Sequence, residues 1–429
     1  MKKVVVLFPG QGSQYIGMGK ALYDEYSEVK KIFNEASEYL GYDVANKCFN
    51  GSLTELNNLD YMLTSILVVS IGAYQVFKMQ TGIVPIWGAG HSLGQYTALV
   101  CCGLISIEDA LHMVITRNQL TKNAFSERPG GMTVVEKLEA SKVVEICKNI
   151  SKNQQFAEVS CYNTPIQVTV SGYDSTIRLV EKEAIALNGT CSPLFTHVPF
   201  HCKLLKNIEE EYLDSLQTVK IKKTTWPVLS NCNPDYTITE SNLIEEMCKH
   251  LTHPVMWRDT LLKIDLENVD MVVEIGPQSI LTSLINANCI KVPAFSFCRK
   301  NDIKALQDKL NVSENINGFK PTVITKCLGA AVSVPNKNWD ENEYTEGVVK
   351  PFEKIRDIQI CLEKEKREPT VDEMKTALSY LYLIFHTKHL PMEERTYRLN
   401  HILNQTDTKA LLGNYAEDLL KGITINERK

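Results

Sequence analysis

The chain of 429 residues is longer than one core of ordinary domain size needs, so we expect two or three structural units. Its 44% hydrophobic and 23% charged residues are typical of a soluble globular protein. The formal net charge of −5 gives no support for binding to nucleic acid or to an anionic membrane, and no apolar run approaches the roughly 20 residues of a membrane span.

The 13 cysteines are scattered along the chain, and none stands in the paired spacing of a zinc site. The first three residues lead straight into a strand-like run, so the sequence predicts no signal peptide. We therefore expect reduced, mostly buried thiols in a cytoplasmic protein that holds no metal and no other cofactor.

Strand and helix patterns alternate through the first part of the chain. Residues 4–8 form a β-branched apolar run that predicts a buried strand, and this strand ends in the glycine-rich turn of residues 9–12. Residues 62–79 are apolar at helical spacing, residues 83–89 predict a second buried strand, and residues 95–102 continue as an apolar helix. This alternation indicates an α/β fold with a mostly parallel, hydrolase-like sheet.

The pattern changes over residues 128–197, which favour a small α+β subdomain, ferredoxin-like in plan, inserted into the larger domain. Strand and helix patterns alternate there at residues 130–135, 140–149, 166–171 and 176–187. The larger α/β domain then comprises residues 1–127 and 198–320, with a late core strand at residues 271–275.

Residues 321–429 predict a helical C-terminal extension. Residues 340–366 are highly charged and mostly helical in pattern, and Thr370 with Glu373 forms a T-x-x-E capping box that opens the next helix. Apolar residues line one face of that helix, at Met374, Leu378, Leu381 and Ile384 or Phe385. We expect this stripe either to pack on the back of the α/β domain or to leave the charged residues 340–366 free for a partner protein.

Residues 90–94, Gly-His-Ser-Leu-Gly, match the pattern G-x-S-x-G. In this pattern a sharp strand-to-helix turn exposes the serine as a nucleophile. The free amides at the start of the following helix favour a developing oxyanion. The predicted strand before this motif and the predicted helix after it favour Ser92 as a nucleophile over an ordinary turn.

A serine nucleophile needs a base, and nine histidines are available. His201 follows a proline at an apparent strand end, which is a usual place for a catalytic group. His197, His250 and His253 compete with it, and the residues alone do not decide among them. His91 is fixed beside the serine and is expected to point away from it.

Arg117 lies in an otherwise apolar helix pattern, residues 110–120. An inward-facing arginine there needs an anion as its partner, because an unpaired buried cation is costly; the alternative is a solvated arginine on the outer face. The turn at residues 10–12, Gly-Gln-Gly, offers backbone donors from a second strand end. It is not a phosphate loop, since no GxxxxGK[ST] pattern follows it.

Seven short motifs follow one another along the first 300 residues. They are FPGQGSQ at 8–14, GHSLG at 90–94, Arg117 25 residues after the serine, NTPIQ at 163–167 with SG at 171–172, PFH at 199–201, HPVMW at 253–257, and EIGP at 274–277. Together they resemble the malonyl-CoA:acyl-carrier-protein transacylase family of fatty-acid and polyketide synthesis.

The resemblance implies a role for several of these residues. Ser92 would carry the acyl group as an ester, and His201 would be its base and later the acid for the leaving thiol. The main-chain carbonyl of His250 would orient His201 in place of a carboxylate. Backbone amides of Gln11 and Leu93 would form the oxyanion hole.

The resemblance also implies the substrates. Arg117 would hold a malonyl carboxylate in a two-pronged contact, and Phe200 and His91 would lie at the substrate, Phe200 favouring a small acyl group. The implied reaction is ping-pong transfer of malonyl from malonyl-CoA to an acyl carrier protein or to the carrier domains of a polyketide synthase. The extension suggests a free-standing enzyme that serves synthase modules.

Three departures from the family pattern bear on turnover and acyl preference. Gln95 stands where Glu is usual, Asn118 where Gly is usual, and Ser65 follows Thr64 where Gln is common.

Two other functions stay open at this point: an acyl hydrolase that removes stalled chains from carrier proteins, and a non-catalytic module that docks carrier proteins. Arg117 favours the transferase, because a hydrolase for uncharged chains gains nothing from a buried cation.

Overall fold

A computed structural model describes residues 2–152, 154–194, 196–310, 322–334, 336, 338, 340–365, 367–406 and 408–421. The chain forms two compact units, Met1–Asn311 and Val312–Lys429. All 13 cysteines are free, and seven of them are buried.

Ten strands lie in the described part of the N-terminal unit. They are β1 Val4–Phe8, β2 Trp87–Gly90, β3 Gly130–Glu136, β4 Ala157–Thr164, β5 Gln167–Tyr173, β6 Thr190–Leu194, β7 Val228–Leu229, β8 Thr237–Ile238, β9 Met271–Glu274 and β10 Ala294–Ser296. They form a six-stranded sheet in the order β10-β9-β1-β2-β7-β8 and a four-stranded sheet in the order β4-β5-β3-β6.

Helices surround both sheets of this unit. They are α1 Lys20–Glu25, α2 Ser27–Leu40, α3 Val44–Phe49, α4 Leu53–Leu56, α5 Leu59–Thr81, α6 Leu93–Cys101, α7 Ile107–Ala124, α8 Ala140–Ile150, α9 Asp174–Ala186, the 3-10 helix Lys203–Ile208, α10 Glu209–Leu216, α11 Leu243–Thr252, α12 Trp257–Leu266, α13 Ile280–Ala287 and α14 Lys300–Leu310.

The large sheet is parallel except at one edge, which confirms the predicted α/β class. The fully buried strand β1 lies between β2 and β9, parallel to both, and only β8 runs antiparallel to its neighbour. Strand β2 begins at Trp87, later than the predicted residues 83–89, because Pro85 interrupts that run and has no N–H for a sheet hydrogen bond. The carboxyl ends of β1 and β2 meet at one edge of the sheet.

Helix α5 corrects one expectation from the sequence. At 23 residues it is long and apolar enough to cross a membrane by length and composition, although no such run was expected. It packs against α2 and α6, and 83% of its most apolar stretch is buried inside the protein. That burial is typical of a core helix.

The small sheet is built in the order β3-α8-β4-β5-α9-β6, which is the plan of a ferredoxin-like subdomain. All of its strand pairs are antiparallel, and it has an apolar core of its own. Its two edge strands, β4 and β6, were not predicted from the sequence. Strand β6 has no buried residue and contains Pro193, so it carries neither the alternation nor the apolar run of a core strand.

The C-terminal unit is helical in its described residues, as predicted. Its elements are α15 Val323–Ser333, α16 Glu341–Tyr344, the π-helix Thr345–Val349, α17 Lys350–Glu365, α18 Val371–Thr387, α19 Met392–Gln405 and α20 Lys409–Leu420. The predicted capping box at Thr370 and Glu373 is confirmed. The stripe of α18 is buried in the unit's own core beside residues of α17, α19 and α20. Residues 321, 335, 337, 339, 366, 407 and 422–429 of the predicted extension, and residues 311–320 at the end of the predicted α/β domain, lie outside the described part.

Candidate active site

A cavity of about 250 Å³ lies where β1 and β2 end, between the large sheet and the small one. The large sheet and its loops supply Ser92, His201 and the turn of residues 10–12 that follows β1. The small sheet supplies an apolar and polar wall: Met132, Val134, Cys161, Asn163, Gln167, Thr169 and Leu194. Sites at the carboxyl ends of parallel strands commonly bind ligands, and this cavity is closed on one side by the subdomain.

The serine of the G-x-S-x-G motif stands on a strained turn. Ser92 has φ 53° and ψ −109°, between the end of β2 and the start of α6. A Cβ on Gly90 would lie 1.8 Å from the carbonyl carbon of Gly94, and one on Gly94 would lie 2.0 Å from the oxygen of Phe8. Both glycines are therefore required sterically, and the tight packing fixes the serine at the ends of β1 and β2.

His201 is the histidine that the structure places on the serine. Its Nε2 lies 2.6 Å from Ser92 Oγ, and its Nδ1 donates to the carbonyl oxygen of His250 at 2.8 Å. This second bond assigns the proton to Nδ1 and leaves Nε2 as an acceptor. His253 instead contacts the hydroxyl of Thr252. The arrangement can deprotonate a serine hydroxyl without a carboxylate.

The electrostatic surroundings keep this imidazole neutral. His201 is buried, and this burial, together with the positive charge of Arg117, lowers its pKa from 6.5 to about 3. The hydrogen bond to the His250 carbonyl opposes the shift without cancelling it. At neutral pH the ring is therefore free to accept a proton.

Asn231, which no sequence pattern singled out, holds the serine turn together. Its Oδ1 accepts from the Ser92 N–H at 2.9 Å, and its Nδ2 donates to the Gly90 carbonyl at 2.6 Å. Its position two residues after the short strand β7, which pairs with β2, was the available signal, since polar residues at neighbouring strand ends meet.

Gln95 supports this asparagine. Its Oε1 accepts from the Asn231 N–H at 2.8 Å, and its Nε2 donates to the sulfur of Met247 at 3.3 Å. A carboxylate at this position can make the first contact but cannot donate the second. The glutamine therefore fits its surroundings as a neutral group.

The backbone amides of Gln11 and Leu93 lie at the meeting of two loops. Gly10 packs so closely that its Cβ would be 2.5 Å from the His91 oxygen and 3.5 Å from the Leu93 nitrogen. Among the described residues, neither amide donates a backbone hydrogen bond outside the helices and strands. Two free donors beside Ser92, one at the start of α6, suit a developing negative charge.

Arg117 faces inward, so the alternative of a solvated arginine is wrong. It is 2% exposed, and no described carboxylate lies within ion-pair distance of it. Its guanidinium lies over the rings of Phe200 at 4.7 Å and Tyr96 at 5.1 Å, and its Nε has no partner. A buried cation without a counter-ion is costly, and a bound anion would relieve that cost.

The two other predicted substrate contacts, His91 and Phe200, both line the cavity. His91 Nε2 lies 2.8 Å from Asn163 Oδ1, and its ring packs on Trp257, so it is held away from Ser92 as expected. Arg117 itself is not part of the cavity wall, and it contacts the wall through Phe200.

The EIGP motif at residues 274–277 positions another part of the cavity wall. The buried carboxylate of Glu274, at the end of β9, accepts from the backbone amides of Leu281 and Thr282 at 3.0 and 2.7 Å. These bonds fix the start of α13, whose Ile280, Leu281 and Leu284 line the cavity. Within the described residues, no cluster of side chains has the make-up of a metal site.

Residues 5–300 match the family model of the acyl transferase domain. A malonyl CoA-acyl carrier protein transacylase of Bacillus subtilis is 30% identical over 395 residues, which cover 92% of this chain and 99% of that protein. Another, of Bacillus subtilis strain 168, is 32% identical over 287 residues, which cover 66% of this chain and 90% of that one.

Solved structures of malonyl-transacylases are similar to most of this chain as well. FabD from Acinetobacter baumannii is 31% identical with a TM-score of 0.67, covering 72% of this chain and 99% of that one. A type II PKS acyl-carrier protein in complex with its malonyl-transacylase gives 29% identity and a TM-score of 0.68, with coverages of 72% and 100%. The matched domain, the sheet and the serine turn define an acyltransferase. The chain belongs to the malonyl CoA-acyl carrier protein transacylase family.

Proposed function

We propose that this acyltransferase moves a malonyl group from malonyl-CoA to the phosphopantetheine thiol of an acyl carrier protein, through an ester on Ser92. The contact that carries the proposal is the 2.6 Å approach of Ser92 Oγ to His201 Nε2, beside the unpaired cation of Arg117. Coenzyme A and phosphopantetheine enter as parts of the two substrates, so the reaction needs no resident cofactor.

In the first half-reaction, Ser92 Oγ attacks the thioester carbonyl while its proton passes to His201 Nε2. The amides of Gln11 and Leu93 donate to the resulting oxyanion. The intermediate collapses as the C–S bond breaks, and the departing thiolate takes the proton from His201. The malonyl ester remains on Ser92, and free coenzyme A leaves.

The second half-reaction reverses these steps with a new acceptor. The phosphopantetheine thiol loses its proton to His201 and attacks the ester carbonyl. The C–O bond then breaks, and Ser92 Oγ recovers the proton. The product is the malonyl thioester of the carrier protein.

The malonyl carboxylate has two uses in this scheme. It satisfies Arg117, and it also offsets the positive charge that helps to lower the pKa of His201. Binding of the charged substrate therefore makes the base stronger. A hydrolase for uncharged acyl chains would lack both effects, so the hydrolase alternative is not favoured.

Replacing Arg117 by Ala is expected to lower kcat/KM for malonyl transfer about a hundredfold, because a charge-assisted two-pronged contact is lost. Acetyl transfer should be kept or improved, since the positive charge beside His201 is also removed. Initial rates with malonyl-CoA and acetyl-CoA measure both effects. The matched control is Arg178→Ala, which removes an exposed arginine paired with Asp174. Equal losses on the two substrates would make Arg117 structural.

We propose further that the enzyme supplies extender units to a polyketide or fatty-acid synthase, with the C-terminal unit selecting the carrier proteins. The Bacillus subtilis relative that aligns over 92% of this chain supports a shared extension, since the relative of strain 168 aligns over only 66%. Contact of a synthase module with the charged residues 340–366 stays a prediction.

A truncation near residue 320 is expected to keep self-acylation by malonyl-CoA, because the residues proposed for the chemistry all lie in Met1–Asn311. Transfer should be lost only to particular carrier proteins. The measurement compares self-acylation and transfer to several carriers in the full chain and the truncated one. A truncated protein that folds by circular dichroism but does not self-acylate would contradict this division of labour.

A further inference from the structure

The side chain of His250 has no role in the mechanism above, which uses only its main-chain carbonyl. The residue is 1% exposed, and neither Nδ1 nor Nε2 has a hydrogen-bond partner in the described part of the protein. Burial and the neighbouring His201 and Arg117 lower its pKa well below the ordinary value, so the ring is neutral and carries one N–H. An imidazole N–H buried without a partner has lost its hydrogen bond to water, and this loss disfavours the folded state unless a ligand replaces it.

The surroundings of His250 join it to the reacting groups. Its ring meets the ring of His201 edge-on with centroids 4.7 Å apart, and that of Tyr96 at 5.6 Å. Tyr96 also lies under the guanidinium of Arg117, whose Nε is unpartnered as well. The hydroxyl of Tyr96 is already 3.0 Å from that of Tyr212. An arginine and a histidine with unsatisfied groups therefore both contact one tyrosine ring, and the histidine also contacts the proposed base.

One ligand class satisfies both donors. A carboxylate has two oxygens, so it can accept from the guanidinium of Arg117 with one and from a neutral imidazole N–H with the other. Two guanidinium nitrogens of Arg117 already make long contacts of 3.4 Å, with Tyr96 Oη and Asn118 Oδ1. An uncharged methyl group in the same place leaves Arg117 Nε and the imidazole N–H of His250 unpaired. The cavity reaches this region at Phe200, which contacts the guanidinium, and at His201, which contacts the His250 ring.

We infer that the His250 imidazole is a specificity-determining group that donates a second hydrogen bond to the carboxylate of the acyl group bound at Arg117. This inference rests on the proposed malonyl transfer. It assigns the discrimination between charged and uncharged acyl groups to two side chains from different helices, α7 and α11.

The test is the ratio of the second-order rate constant for self-acylation by malonyl-CoA to that for self-acylation by acetyl-CoA. His250→Phe keeps the main-chain carbonyl and removes the donor, and it should lower the ratio about tenfold, the effect of one hydrogen bond to a charged group. His250→Gln restores a hydrogen-bond donor, and its ratio should return to at least about a third of the wild-type ratio. The matched control is His253→Phe, which changes the exposed residue directly after α11 and should leave the ratio as it is.

A displaced His201 lowers both rates together and leaves the ratio unchanged, so an unchanged ratio in His250→Phe overturns the inference. His250→Leu repeats the test with a smaller side chain, and the acetyl rate shows that each variant is folded. In the Arg117→Ala background, His250→Phe should change the ratio less than about threefold, since both groups act on one carboxylate. A wild-type protein that is not malonylated at all would instead refute the proposed function.

Discussion

Ser92→Ala is expected to abolish acylation of the protein by malonyl-CoA. The wild-type chain should gain the mass of one malonyl group at a single residue, because only Ser92 Oγ has a neutral imidazole nitrogen at 2.6 Å among the described serines. Alanine removes the attacking atom itself, and no rearrangement of the turn replaces it. Intact-mass measurement followed by peptide mapping gives the result directly.

Because Ser92 occupies a strained turn, the folding of the Ser92→Ala variant is checked together with its labelling. Ser283→Ala, which changes an exposed serine on α13, is the matched control and should label as the wild type does. Labelling of the Ser92 variant at another residue would refute the assignment of the nucleophile.

His201→Ala is expected to slow self-acylation by roughly a thousandfold or more, since a neutral serine hydroxyl is a poor nucleophile without a base. His197→Ala and His253→Ala should have far smaller effects. Single-turnover labelling rates compare the three variants. An equally large loss in the His197 variant would show that the base is wrongly chosen.

The pH profile gives an independent check on His201. Because its pKa is lowered to about 3, the free enzyme holds the ring neutral, and kcat/KM should not fall through protonation of this base between pH 7.5 and 5.5. The same lowered pKa makes the stability of the folded protein depend on pH. The unfolded chain takes up a proton below its pKa of about 6.5 while the folded chain does not, so this residue weakens the fold as the pH falls below that value.

The sequence predicted the class of the fold and identified the chain segments that form the candidate site. The run at β1 is apolar along its whole length, and β9 is apolar up to Glu274 at its end, as expected of strands buried on both faces. The capping box of α18 is a local signal. The G-x-S-x-G pattern likewise depends on close local packing. The residue pattern alone did not choose among the histidines, because that choice is a matter of distance between segments far apart in the chain.

The features that were missed depend on tertiary contacts. Asn231 lies outside the seven motifs, and its importance comes from where β7 pairs beside β2. The unpartnered ring of His250 is visible only once its neighbours are placed. The stripe of α18 was correctly found, but an amphipathic pattern does not say which surface covers it, and here other helices of the same unit do.

The dispersal of the site has a kinetic consequence. Gln11, Ser92, His201 and Asn231 come from four chain segments, and they meet only when β1, β2 and β7 have paired across long intervening stretches. Contacts of such sequence separation form slowly, because the chain entropy of closing the loops is lost before the pairing is gained. Recovery of activity after denaturation should therefore follow the slowest assembly of the large sheet, well after the helices have formed.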